Sequence, residues 1–194
     1  ISKEESMTAF TTEKIDVEPW FDMELFMGVS QETRLGGDVM DRFMTLWKNW
    51  LPHLTVKGID TGKIKYLLVA LDESVEQDVD KAWEGSPSNA FLYNALAQTM
   101  CMAAVHAVIP EVQDAGCAPA PKPTATLREA LEAEGIPYSN DKDPILSRRY
   151  AVVTHYPFKG GCEICVLQSN CPKGQGQMEA TSVVLPGYEH PQQM

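Results

Sequence analysis

Three cysteines fall within ten residues in the run Cys162-Glu163-Ile164-Cys165-Val166-Leu167-Gln168-Ser169-Asn170-Cys171-Pro172, a C-x₂-C-x₅-C-P pattern. Deprotonated sulfur is a strong, polarizable donor, and a two-residue gap lets neighbouring sulfurs face one ion across a tight turn, so this crowding points to zinc or iron. Three donors fall short of the usual four, and two residues compete for the fourth place. Cys117 lies beside Gly116 on a proline-rich stretch where backbone can wrap around an ion, whereas His155 lies seven residues before Cys162. Cys117 is the preferred ligand, because four thiolates are the commonest shell of a cubane [4Fe–4S] cluster. The loop that must close between Cys117 and Cys162 adds little cost, since closure entropy grows only with the logarithm of length.

With His155 included the run reads H-x₆-C-x₂-C-x₅-C. This resembles the C-x₆-C-x₂-C-x₅-C cluster loop of the endonuclease III and MutY family of DNA glycosylases, with His155 where that family has its first cysteine. The resemblance spans about seventeen residues and implies a loop able to wrap a [4Fe–4S] cluster. It does not extend to glycosylase activity. A glycine-rich helix-hairpin-helix followed by a catalytic Asp is missing, and the net charge of −11 is wrong for a DNA binder. Proline directly after Cys171 also resembles ferredoxin cluster runs, where Cys-Pro turns the chain away.

Two other chemistries remain open for the same residues. Structural zinc suits the knuckle-like C-x₂-C spacing, although a second C-x₂-C or H-x₃₋₅-H pair is missing. A Cys162/Cys165 dithiol would serve thiol–disulfide exchange, but such sites need a helix N-terminus after a strand, and Gly160-Gly161 precede this one. Cys101 sits among Ala, Met and Val and reads as a small buried hydrophobe. His106 reads as a core histidine, and His53 and His190 flank prolines without a signal. No phosphate-binding loop, G-x-S-x-G or outstanding carboxylate pair is found, so whether the chain is an enzyme stays open.

Composition narrows the partners. Hydrophobic residues make up 44% of 194 positions and charged ones 22%, enough for one sizeable core. The acidic balance argues against nucleic acid and anionic membranes, and no apolar run approaches the roughly 18 residues of a span, so a protein partner in a larger redox assembly is expected. Five cysteines, an odd number, favour a reducing compartment over a disulfide framework, and a cytoplasmic location is the expectation.

The elements that must carry the cysteines read as mainly helical. Residues 1–37 predict a short helix between loops. Val39, Phe43, Leu46, Trp47, Trp50 and Leu51 recur at helical spacing from an Asp38 cap to Pro52. Ile64, Leu67, Leu68, Leu71, Val75, Val79 and Ala82 keep the same period and predict one long helix over Thr61–Glu84, ended by Gly85; Tyr66–Leu71 alone would also suit a buried strand. The acidic residues Asp72, Glu73, Glu76, Asp78 and Asp80 then form its solvated face. A Ser88-capped helix to Ile109, apolar on more than one side, is expected at the centre. Pro119, Pro121 and Pro123 make an extended linker, and a Thr126/Glu129 capping box opens a short helix ended by Gly135. Tyr150–Tyr156 and Thr181–Leu185 predict two strands flanking the cysteine loop.

The expected fold class is therefore a mainly α helical bundle with a small C-terminal β element carrying the metal loop, with α+β as the alternative. Residues 1–145 form the helical domain and 146–194 the β/metal-loop segment packed on it. The expected function is an iron–sulfur-bearing accessory protein or subunit of a redox system, its cluster held by Cys117, Cys162, Cys165 and Cys171 and used for electron transfer or docking. The second reading is a zinc-stabilised interaction or chaperone-like protein, and the third is the thiol–disulfide protein.

Overall fold

The computed structural model describes residues 9–140 and 143–176. Its centre is a four-stranded antiparallel sheet in the order β1 (Thr11–Lys14), β2 (Leu54–Asp60), β3 (Lys65–Leu71), β4 (Ala151–His155). Six helices are found among the described residues: α1 (Met23–Ser30), α2 (Gly37–Trp50), α3 (Glu73–Gly85), α4 (Pro87–Val108), α5 (Glu111–Ala115) and α6 (Ala125–Ala133). The fold is α+β, which corrects the expectation of a mainly helical bundle with β structure confined to the C-terminus. The expected Thr181–Leu185 strand lies outside the described residues.

The correction turns on Thr61–Glu84, where strand β3 and helix α3 replace the single long helix. Every β3 residue from Tyr66 to Leu71 is buried. Alternation is nevertheless at work: Leu67, Val69 and Leu71 enter a core with α1–α4, while Tyr66, Leu68 and Ala70 enter a second core with α6. A strand apolar on both faces hides its two-residue period, and its apolar positions then happen to match a helical one. The strand ends at Asp72, whose Oδ1 accepts from the Ser74 amide at 2.9 Å and caps α3. Upstream, the Asp60 carboxylate accepts from the Gly62 amide at 2.8 Å, and Gly62 takes a positive φ of 78°, closing the β2–β3 hairpin.

The layering is helix, sheet, helix. On one face Phe26, Phe43, Trp47, Trp50, Val75, Val79, Leu96 and Met100 pack against the sheet; on the other Leu127, Ala130, Leu131, Ile136 and Tyr138 do so. Ser86, not Ser88, caps α4, with Pro87 in the first turn, and Thr124, not Thr126, caps α6. Among the described residues α4 is the one helix long and apolar enough to cross a membrane; 56% of its most apolar window is buried inside the fold. The acidic run is not simply a solvated face. Asp78 accepts from Trp50 Nε1 at 2.8 Å, Asp80 holds the Arg149 guanidinium at 2.7 and 3.2 Å, and Glu76 accepts from the Arg149 amide at 2.9 Å. These bonds fasten α3 to α2 and to the entry of β4. Strand β4 itself, from the C-terminal part, joins β3 with Tyr66 opposite His155 and Ala70 opposite Ala151.

Candidate metal centre

Two chain segments that are distant in sequence meet beyond the ends of α4 and β4. The first leaves α4 at Pro110, makes the single turn α5, and reverses at Gly116, whose φ of 71° lies in the left-handed region. Cys117 follows at once. From there Pro119 and Pro121 keep the backbone extended, and each lacks an amide donor. Ala120 between them retains one, and donates it to Cys165 Sγ at 3.4 Å. The Ala120 carbonyl accepts from the Val166 amide at 3.0 Å, and the buried Thr154 hydroxyl on β4 donates to Pro119 O at 2.9 Å. The linker is thus stitched to β4 and to the cysteine loop.

The second segment is that loop. The Cys165 amide donates to Cys162 O at 3.1 Å, Gln168 to Cys165 O at 3.1 Å, and Cys171 to Gln168 O at 3.4 Å. Successive three-residue turns therefore carry the C-x₂-C-x₅-C spacing, and residues three apart in such turns project to the same side. Gly174 packs against the middle of the loop: a Cβ there would stand 2.7 Å from Gln168 O, so only glycine lets the backbones approach. At the entry, Glu163 Oε1 accepts from the Gly161 amide at 3.0 Å, and its own backbone amide together with that of Gly161 holds its carboxyl below the usual range.

Cys117, Cys162, Cys165 and Cys171 are all half-buried free thiols. Burial pushes the Cys117 thiol up to about 11; the Lys173 ammonium pulls it down, and the charges of Cys162, Cys165 and Cys171 push it further up. Among the described residues no group of three or more His, Cys, Asp or Glu side chains is placed to hold a metal ion, these four thiols included. By donor chemistry alone, half-buried thiols are of the type that suits a thiophilic metal or a cluster.

His155 has a different setting. Its ring lies 5.5 Å from that of Tyr66, its buried Nδ1 has no hydrogen-bond partner, and burial, then Lys159, hold it below the ordinary imidazole range. Cys101 is buried in α4, its thiol donating to Tyr150 O at 3.6 Å, and burial pushes it up to about 12, which makes it inert. His106, half-buried on the same helix, is lowered by burial and partly restored by Asp22.

One constellation escaped the sequence reading. His53 Nδ1 lies 2.6 Å from Asp72 Oδ2 and 3.3 Å from Ser74 Oγ. A relay needs the hydroxyl on one ring nitrogen and the carboxylate on the other, and here both meet Nδ1. The group is a cap for α3 and not a nucleophile. The supports of the cysteine site, Thr154, Ala120 and Lys173, were also unmarked in the sequence, because nothing local distinguishes them. Comparison with protein-family models, curated proteins and solved structures finds no match.

Proposed function

We propose that Cys117, Cys162, Cys165 and Cys171 together hold an iron–sulfur centre, and that the chain serves as an accessory protein or subunit of a redox system. The observation that supports this reading is the bonding of the Cys117 linker to the cysteine loop across 45 or more positions, the Ala120 amide donating to Cys165 Sγ at 3.4 Å and the Val166 amide to Ala120 O at 3.0 Å. When bound, the centre would supply one-electron transfer or a rigid docking surface. The half-buried loop, with the Val166 side chain exposed, leaves the site near the surface where a protein partner of a redox assembly can approach. Free thiols fit a reducing, cytoplasmic setting.

Zinc is the second reading, because four thiolates equally suit a closed structural site, and the protein would then be an interaction module without catalysis. Thiol exchange at Cys162 and Cys165 has less support: the pair sits on a 3-10 turn and lacks the α-helix N-terminus that lowers a thiol pKa. Anaerobic purification followed by visible spectroscopy separates these readings. Broad thiolate-to-iron absorption that bleaches on reduction supports the proposal; a colourless protein containing zinc supports the second reading and overturns the first.

A further inference from the structure

One side chain joins the two segments of the site directly. Lys173, two residues after Cys171, reaches back 58 positions to donate from Nζ to Ala115 O at 3.0 Å. Ala115 is the last residue of α5 and stands two residues before Cys117. Lys173 is half-buried, and this bond fixes its ammonium on the segment that leads into Cys117. The same side chain therefore ties down the segment bearing Cys117 and places a positive charge beside it, on a chain whose net charge is −11.

We propose that Lys173 is a positioning residue for the thiolate site, clasping the end of α5 so that Cys117 stays with the three loop sulfurs and setting the electrostatics of what they hold. The inference rests on the proposed thiolate-site reading. The clasp follows from chain connectivity. Gly116 and Cys117 have no regular structure of their own, so the Ala115 anchor limits how far Cys117 can swing from the loop. The electrostatic part follows from charge. Four thiolates make the site anionic, an added electron makes it more so, and a nearby ammonium favours that added charge.

The test compares wild type with Lys173→Met, which keeps the aliphatic stem and loses the charge, and Lys173→Arg, which keeps the charge. On metal-free protein, hydrogen exchange at residues 116–118 reads the clasp. On anaerobically purified protein, iron release to a chelator and the midpoint potential read the site. Lys173→Met should exchange and release iron about tenfold faster, the size expected for losing one charge-assisted hydrogen bond at a partly exposed position. Its potential should move to more negative values, and Lys173→Arg should restore most of it. Unchanged exchange at 116–118 overturns the clasp, and faster release with an unmoved potential overturns the electrostatic role. Wild-type protein without an iron–sulfur centre would instead sink the site reading, while the exchange comparison would still decide the clasp.

Discussion

Thr154→Val is the sharpest probe of how the linker is held. Thr154 is 1% exposed, and its hydroxyl donates at 2.9 Å to the carbonyl of Pro119, itself buried. Valine preserves the branched shape and the strand preference of β4, so the substitution removes the donor and little else. A buried carbonyl left without its donor costs about 1–3 kcal/mol. Taking about 2 kcal/mol, and a urea slope of about 2–3 kcal/mol per molar for a chain of this size, the midpoint should fall by roughly 0.7–1 M with the slope unchanged. Metal-free protein is the material to use, because bound metal would add its own linkage to the measured stability. The loosened linker should also let Cys117 leave the loop, so the same variant should lose metal faster. A midpoint within about 0.2 M of wild type would refute the reasoning, since the bond would then contribute less than about 0.6 kcal/mol.

Cys117→Ser should strip or destabilise the bound metal while His155→Ala leaves it in place, as measured by metal content after desalting; the reverse result would move the fourth ligand to His155. Cys101→Ala should retain full metal content and lose about 1 kcal/mol of packing in chemical unfolding. Its pH profile is also predicted: the folded Cys101 thiol stays protonated up to about 12 against an ordinary 9.0. Unfolding therefore releases a proton between those values and stability falls as pH rises, a fall that Cys101→Ala should lessen by up to about 1.4 kcal/mol per pH unit. Gly174→Ala should force Gln168 aside and speed metal release without unfolding the sheet, visible as an unchanged far-ultraviolet spectrum.

The parts of the fold that were legible are those whose pattern was one-sided or punctuated. Helix α2 followed from Phe43, Trp47 and Trp50 on one face, and the extended linker from its three prolines. The central sheet was not legible as such. Strand β3 is apolar on both faces and so mimicked a helix, and β1 is a four-residue edge strand with every residue exposed, which carries no apolar signal at all. For the site, the C-x₂-C-x₅-C spacing marked three thiols as candidates, and the preference for a four-thiolate shell chose Cys117 as the fourth. The residues that hold the linker in place were invisible, because Thr154, Cys165 and Lys173 meet their partners across 35, 45 and 58 positions. Contacts at that range depend on how the sheet and α5 aim the chain, and no local pattern encodes them.

The most direct test of the thiolate centre is the iron, acid-labile sulfide and zinc content of anaerobically purified wild-type protein, measured beside Cys117→Ser. The account predicts about four irons and four sulfides per chain in wild type, the content of one cubane cluster, and a clear loss in the variant. Stoichiometric zinc without sulfide, or wild-type protein free of both metals, would contradict it.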